Sequence, residues 1–374
     1  MSADVETVII GAGAVGLAIA RALCRAGQEV LVIERHALAG SESSSRNSQV
    51  VHAGLYYPPE SWKAQLCRQG HSMMMAFVRE HDVSLNPCGK LIVASSDDEI
   101  PHLATLAANA AANGVDGLRQ LTGTQATALE PQLACVGALL SPSTSVIDSR
   151  GYITALEAEI VAAGGAIAFN HEVIKVSQHE SGEFVITAVG SDDVTTRLTS
   201  RNLIAAAGLH ATQVGLMLPC RLGYQVPQTY FAKGHYYALA GAAPFSHLIY
   251  PLPSLQALGI HATHFDGTTL FGPDIEWVNV YSYAFDDADG ARMAAFAAAI
   301  KRYWPALPDG ALHPAYTGLR PKLAHAREPA QDFALHTVKD HGIDRLVALY
   351  GIESPGLTAS LAIGDWVARH FAGR

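Results

Sequence analysis

The sequence predicts an α/β protein in which a doubly wound, Rossmann-like domain is interrupted by a mainly antiparallel α+β domain. Three observations predict this class. The chain opens with two apolar strands joined by a glycine-rich turn and a helix. A second strand–helix–strand unit follows, and the composition then changes to short alternating runs rich in Tyr and His. We place the first domain at residues 1–85, 145–215 and 318–374, and the second domain at residues 86–144 and 216–317.

The first unit, residues 5–34, has the pattern of a dinucleotide-binding turn. An apolar strand is followed by Gly11, Gly13 and Gly16 at G-x-G-x-x-G spacing. These glycines allow a tight turn, a close approach of pyrophosphate to the backbone, and close packing of helix on strand. The free N–H groups at the helix start, near Ala14 and Val15, attract phosphate.

Glu34 ends the second strand of this unit. Its carboxylate is placed to accept hydrogen bonds from a ribose and would repel a 2′-phosphate, which disfavours NADP. The pattern alone does not separate FAD from NAD, and a purely structural βαβ unit is the alternative.

Composition limits the class of protein and of partner. The chain has 374 residues, 49% of them hydrophobic and 16% charged, which is typical of an ordered globular protein. A net charge of −9 argues against nucleic acid as a partner. The five cysteines and 17 histidines show no metal-binding spacing, so we expect no metal site. Without a secretory signal or a long apolar segment, we expect a cytoplasmic protein with no transmembrane segment; peripheral contact with a membrane stays open.

Periodicity and end signals predict the remaining elements. Asp148 is placed to cap a helix that ends near Ala163. We expect further helices at residues 61–81, 100–113 and 291–304, and after residue 355. We expect strands at residues 88–95, 136–140, 166–176, 183–189, 195–198, 202–207, 235–239, 258–263, 278–283 and 346–350.

A serine-rich loop at residues 40–45 leads into the segment HAGLYY. Serine runs are commonly solvated surface loops. This one follows the strand that ends in Glu34, which favours a loop that lines the cofactor.

The C-terminal stretch separates FAD from NAD. A buried strand is followed by Ser354-Pro355-Gly356 and by a helix start that carries Thr358 and Ser360. Free N–H groups at that start would stabilise the negative charge of a reduced flavin. A nicotinamide needs no such site, although any last helix of a doubly wound domain can have a capped start.

Together these segments resemble the D-amino-acid-oxidase-type FAD oxidoreductases, and within them the L-2-hydroxyglutarate dehydrogenase/oxidase branch. The resemblance is carried by the N-terminal fingerprint and by NLIAAAGLHA at residues 202–211. It also rests on residues 47–70, 233–239, 248–253, 258–274, 318–323 and 353–364. Residues 351–354, Gly-Ile-Glu-Ser, differ from the Asn-Ala-Pro-Ser pattern of that branch.

The resemblance implies FAD as cofactor and oxidation of a small 2-hydroxy acid, with L-2-hydroxyglutarate as the first expectation. The residues that we expect at the cofactor are Gly11, Gly13, Ala14, Val15, Gly16, Glu34, Arg35, Ser45, Arg46, Asn47, Val51, His52, Val173, Ala207, Gly208, Arg320, Ser354, Pro355, Gly356, Leu357 and Thr358.

Oxidation of a 2-hydroxy acid requires a base for the hydroxyl proton and cations for the carboxylates. The candidate bases are His52, His235 and His261. His52 also stands in a context in which some relatives bond their histidine covalently to the flavin. Arg320 and Lys322 are the expected carboxylate clamps, with Arg46 as second choice. Of the tyrosine pairs Tyr56-Tyr57 and Tyr236-Tyr237, only one of each should face the site; Tyr237 is our candidate from the second pair.

Three other functions remain alternatives at this point. An amine or amino-acid oxidase would use the same scaffold with one carboxylate anchor. A non-catalytic flavin-binding protein would keep the fingerprint without the base, and an NAD-dependent dehydrogenase would lack a flavin. The sequence names neither the electron acceptor nor the oligomeric state.

Overall fold

The fold is described from a computed structural model, which covers residues 3–220, 223–252 and 259–372. Pro253, the last residue of the quoted segment 248–253, and Leu258, the first residue of segment 258–274 and of the strand predicted at 258–263, lie outside the described residues. The strands are β1 (Val5–Ile10), β2 (Val30–Ile33), β3 (Val50–Val51), β4 (Leu85–Asn86), β5 (Lys90–Ala94), β6 (Arg119–Thr122), β7 (Gly137–Ser141), β8 (Ser145–Ile147), β9 (Ala166–Ala168), β10 (His171–Gln178), β11 (Phe184–Gly190), β12 (Thr195–Ala205), β13 (Tyr230–Leu239), β14 (Leu248–Pro251), β15 (Ala262–Phe265), β16 (Thr268–Phe271), β17 (Glu276–Val278), β18 (Leu312–Lys322), β19 (Ala334–His336) and β20 (Leu346–Tyr350). The helices are α1 (Ala14–Arg25), α2 (Trp62–Glu80), α3 (Ile100–Ala112), α4 (Gly123–Leu129), α5 (Ser149–Ala162), α6 (Ala211–Met217), α7 (Ala291–Lys301), α8 (Val338–His341) and α9 (Gly356–Ala372).

The first sheet is built around β1, which pairs in parallel with β2 on one side and β12 on the other. The order is β10-β11-β12-β1-β2-β9, and β20 lies beside β12 and carries β19. Helices α1, α5 and α9 cover one face, where Ile9 and Val32 are buried with Ile363. The opposite face is buried with α6. The predicted α/β class with a doubly wound sheet is confirmed.

The second sheet has nine strands in the order β17-β13-β16-β15-β14-β5-β7-β6, with β18 paired to β13. All of its pairs are antiparallel except β14 with β5. Helix α7 packs on it through Phe296 and Ile300. Strands β3, β8 and β4 form a small third sheet. Residues 318–322, which we assigned to the first domain, belong to β18 and pair with β13 of the second sheet.

Several local predictions are confirmed by the capping residues. Ser61 accepts a hydrogen bond from the Ala64 N–H at the start of α2, and Asp148 accepts one from the Arg150 N–H at the start of α5. The predicted break between strands at residues 195–198 and 202–207 is wrong. β12 is continuous because β11 pairs with its first half and β1 with its second.

The strand predicted at residues 278–283 is also wrong. β17 ends at Val278, which pairs with Phe231 near the first residue of β13, so the following residues have no partner strand. They run as irregular chain, and Tyr281 and Tyr283 reach the first domain from it. Among the described residues, no helix is both long and apolar enough to span a bilayer.

Candidate active site

Two cavities adjoin at the carboxyl ends of β1 and β2. The first is lined by Gly11, Gly13, Glu34, Arg35, Val173, Ala207 and Gly208, among others. The second, of about 220 Å³, is lined by Ala14, Val15, Arg46, Asn47, His52, Arg320 and residues 352–358, among others. Both are lined by Ser43 and Ser44, so the two cavities lie side by side between the first turn and the start of α9, and together they are called the extended groove.

The first turn can be formed only by glycine at two positions. At Gly11, where φ is +104°, a Cβ would lie 2.6 Å from the Ala206 carbonyl oxygen. At Gly16 a Cβ would lie 2.0 Å from the Gly11 carbonyl oxygen. The backbone therefore closes tightly on itself and leaves the N–H groups at the start of α1 directed at the groove. The Ala14 N–H donates to the Ser44 hydroxyl at 3.0 Å.

Glu34 is held at the tip of β2 by the backbone. One carboxylate oxygen accepts the Ala12 N–H at 2.8 Å, and the other accepts the His36 N–H at 2.8 Å. The side chain is buried and lines the first cavity. Each oxygen keeps a second lone pair, which suits a ribose hydroxyl as partner.

Residues near the start of the chain contact the beginning of α9 at His52. Its backbone N–H donates to the Thr358 hydroxyl in α9 at 3.0 Å, and its Nε2 lies 3.3 Å from the Ser354 hydroxyl. Its Nδ1 is enclosed and finds no hydrogen-bond partner in the described parts of the chain. Burial and the positive charge of Lys90 lower the pKa of His52 to about 3, so the imidazole is neutral at pH 7.

His261 stacks on Tyr250 in the wall of the second cavity, with ring centroids 3.6 Å apart. Burial lowers its pKa well below the usual value, and the positive charges of Lys90 and Arg320 act in the same direction. Two neutral imidazoles, each with an unprotonated ring nitrogen, therefore line one cavity with two guanidinium groups.

Comparison with known proteins identifies the family. The model of the DAO family, described as FAD dependent oxidoreductase, matches residues 6–370. The chain belongs to this family. This oxidoreductase uses FAD, and the extended groove fits such a dinucleotide: a glycine turn without side chains, a carboxylate for ribose, and a second cavity under α9.

The most similar proteins include two L-2-hydroxyglutarate dehydrogenases. The mitochondrial enzyme of Arabidopsis thaliana is 36% identical over 98% of this chain and 83% of its own length. The Escherichia coli (strain K12) enzyme is 30% identical over 72% of this chain and 63% of its own length. Among solved structures, FAD-bound L-alpha-glycerophosphate oxidase of Mycoplasma pneumoniae has a TM-score of 0.86 at 22% identity, covering 98% of this chain and 94% of that one. Glycine oxidase of Geobacillus kaustophilus has a TM-score of 0.81 at 19% identity, with coverage of 98% and 94%.

The three cations that we predicted as carboxylate anchors differ in the contacts that they make within the protein. Arg320 donates one hydrogen bond, to the Asp274 carbonyl oxygen at 2.8 Å, and Arg46 lies 4.2 Å from the centroid of the Tyr283 ring. Both guanidinium groups line the cavity and keep donors for an anion. Lys322, which we predicted as a clamp, does not line either cavity and instead binds the carboxylate of Glu353.

His235 and Tyr237 point away from this oxidoreductase's groove, which corrects their assignment as catalytic candidates. Alternation along β13 brings Gly234 and Tyr236 to the second cavity. The His235 imidazole lies 2.9 Å from the Asp274 carboxylate, and the Tyr237 hydroxyl binds Asp287. As expected for neighbouring residues of a strand, only one tyrosine of this pair lines the cavity.

Three of the residues expected at the cofactor do not line the groove. The Ser45 hydroxyl donates to the Glu42 carbonyl oxygen on the exposed side of the loop. Val51 is fully buried in the core beneath His52. Gly16 acts by allowing α1 to pack on the turn.

Several titratable residues that the sequence patterns did not indicate also lie at or near the groove. Glu42 and His210 line the first cavity, and Glu353 lines the second. Lys90 is fully buried behind the second cavity, with Nζ 4.7 Å from the ring centroids of both Tyr56 and Tyr250. A lysine at the start of the apolar run KLIVA was the one available signal for it.

Proposed function

We propose that this oxidoreductase converts L-2-hydroxyglutarate to 2-oxoglutarate. The observation that carries the proposal is the 36% identity with the Arabidopsis thaliana L-2-hydroxyglutarate dehydrogenase, over 98% of the chain. The charge of the second cavity supports it. A five-carbon dicarboxylate needs two anchors, and two arginines, Arg46 and Arg320, line that cavity.

The residues that would hold FAD are distributed along the groove. The turn at Gly11 and Gly13 would receive the pyrophosphate, Glu34 the ribose, and residues 352–358 the redox ring. When bound, FAD accepts the hydrogen of the substrate Cα as a hydride equivalent. We propose that the first domain holds FAD, and that the second supplies the wall formed by Tyr236, Tyr250 and His261.

The hydroxyl proton must leave the substrate as the Cα hydrogen is transferred. We propose that His52 or His261 accepts it, because both imidazoles are neutral and both line the second cavity. Arg320 would bind the carboxylate next to the reacting carbon, and Arg46 the distal one. The Tyr236 and Tyr316 rings, stacked at 4.5 Å, close this side of the cavity against water.

Anaerobic reduction of the bound flavin tests the substrate. The holoenzyme would be mixed with L-2-hydroxyglutarate, its D-isomer, L-malate, L-lactate, L-glutamate and glycine, and the flavin absorbance followed. We expect L-2-hydroxyglutarate to bleach the flavin fastest. Faster bleaching by an amino acid would identify an amine oxidase instead, and no bleaching by any member would favour the non-catalytic alternative.

Single-turnover reduction of the His52→Asn and His261→Asn variants tests the base. We expect the variant that lacks the base to reduce its flavin about 10²–10⁴-fold more slowly, while the other stays near wild type. Wild-type rates in both variants would contradict the proposal. Denaturing the wild type separates the remaining role of His52, because a covalently bound flavin would stay with the protein.

A further inference from the structure

Glu353 places a carboxylate in the wall of the second cavity, bound by two lysines. Lys322 Nζ lies 2.9 and 2.8 Å from its two oxygens, and Lys63 Nζ lies 2.9 Å from one of them. The exposed fractions of the Glu353, Lys63 and Lys322 side chains are 10%, 11% and 21%. This three-residue cluster is therefore largely removed from water. In the less polar protein interior its charges act over a longer distance than they would in water.

The cluster joins three elements that enclose the site. Lys63 is in the first turn of α2, Lys322 is the last residue of β18, and Glu353 precedes the start of α9. Lys63 Nζ also donates to the Gln331 carbonyl oxygen at 3.0 Å, and the Lys63 N–H donates to the Asp332 carboxylate at 2.9 Å. These bonds fix the positions of the charges relative to the cavity.

The cluster carries a net positive charge. Burial alone would raise the pKa of Glu353, but the ammonium groups of Lys63 and Lys322 lower it below its usual value, so the carboxylate is ionised. One carboxylate against two ammonium groups leaves one positive charge. The reduced form of a flavin carries more negative charge than the oxidised form, so a fixed positive charge beside it favours reduction.

We propose that the Lys63–Glu353–Lys322 cluster sets the reduction potential of the bound FAD through its net charge. The inference rests on the proposed placement of the redox ring in the second cavity. The three residues are positioning residues that act on the ring through their charge. The carboxylate of Glu353 lowers the reduction potential of the flavin, and the ammonium groups of Lys63 and Lys322 raise it.

Sulfite titration of the holoprotein measures this effect without any substrate. The sulfur of sulfite bonds to flavin N5, and the sulfur lone pair supplies the two electrons that leave the ring reduced and anionic. The affinity of the flavin for sulfite therefore depends on the charge near the ring. We expect Glu353→Gln to lower the Kd of sulfite about tenfold, and Lys322→Gln or Lys63→Gln to raise it about tenfold. A tenfold change corresponds to about 30 mV for a two-electron couple, measurable by dye equilibration.

The double variant Glu353→Gln/Lys322→Gln is the deciding measurement, because it restores the wild-type net charge while removing the ion pair. We expect its sulfite Kd to lie within about threefold of wild type. Lys301→Gln, in the exposed pair with Asp309, is the matched control for loss of one remote charge. Shifts in the same direction for Glu353→Gln and Lys322→Gln, or a double variant no nearer to wild type than the singles, would overturn the proposal.

Flavin content is measured first for every variant. If Glu353→Gln loses FAD, the charge dependence is decided by Lys63→Gln and Lys322→Gln, which should raise the sulfite Kd, and by the double variant, which should return it to within about threefold of wild type. The outcome is separate from that of the proposed function. Failure of L-2-hydroxyglutarate to reduce the wild-type flavin would end the substrate assignment, yet leave the sulfite series to confirm or contradict the role of the cluster.

Discussion

The hydroxyl of Thr358 accepts the backbone N–H of His52 at 3.0 Å and donates to the Val50 carbonyl oxygen at 3.3 Å. Thr358 is fully buried in the first turn of α9, whereas His52 follows the short strand β3. One side chain thus satisfies two backbone groups of a loop that is far away in sequence. The position of the His52 imidazole therefore depends on the last helix.

Replacing Thr358 by Val should lower stability and flavin affinity together. The change keeps the shape of the side chain but leaves the His52 N–H without its partner, which costs about 1–3 kcal/mol. Thermal unfolding and the FAD content after dialysis measure the two effects. Thr358→Ser, which retains the hydroxyl, is the control and should stay close to wild type. Equal behaviour of Val and Ser would show that the hydroxyl is not needed.

Replacing Gly16 by Ala should prevent FAD binding. The new Cβ would lie 2.0 Å from the Gly11 carbonyl oxygen, so the turn must open at a cost of about 1–3 kcal/mol. Gly27→Ala provides the comparison, since Gly27 has φ of +85° but no atom within 4 Å of an added Cβ. It should lose about 1–2 kcal/mol of stability through backbone strain and keep its flavin. Retention of FAD by the Gly16 variant would be the contrary result.

Replacing Lys90 by Met should stabilise the protein near neutral pH but not at high pH. Burial lowers the pKa of Lys90 to about 7, while an unfolded lysine titrates near 10.4. Between these values the unfolded chain binds more protons, so this residue makes stability rise with pH, by up to about 4 kcal/mol. The advantage of the variant should be largest at pH 6–7 and disappear by about pH 10.5.

Thermal unfolding of wild type and Lys90→Met over pH 6–10.5 measures this difference. Lys301→Met, at an exposed position, is the control and should show no such trend. A Lys90 variant that is less stable than wild type at pH 6.5 would mean that the ammonium has a stabilising partner.

Replacing Arg320 by Met should weaken substrate binding without loss of flavin. Loss of a bidentate anchor for a carboxylate costs about 2–4 kcal/mol, which corresponds to a KM about 30- to 1,000-fold higher for L-2-hydroxyglutarate. Arg327→Met removes an exposed arginine a short distance further along the chain and serves as the control. An unchanged KM in the Arg320 variant would remove Arg320 from the site.

Features that depend on neighbours in sequence could be predicted. The turn at Gly11–Gly16 and Glu34 form one local unit, and the helix cap at Asp148 needs only the residues that follow it. The start of α9 was predictable for the same reason. Together with the order of the strands, these were enough for the fold class and for the two ends of the groove.

Features that depend on tertiary pairing could not be predicted. Alternation along β13 turns one set of side chains to the cavity and the other away from it, and only the pairing of β13 with its neighbours decides which set; His235 is on the side that meets Asp274. Lys322 is a residue type that could bind a substrate carboxylate. It is bound instead by Glu353, from a loop 31 residues further along the chain. The enclosure of Lys90 by two tyrosine rings likewise depends on three separate segments.

Helix α9 has a consequence for biosynthesis. It packs against α1 so closely that a Cβ at Gly364 would lie 2.5 Å from the Ala18 carbonyl oxygen, and its first turn fixes His52. A ribosome-bound chain therefore lacks one side of the proposed flavin pocket until α9 has emerged. Nascent chains stalled before that point should remain colourless, and insertion of the coenzyme is expected to be a late event in maturation.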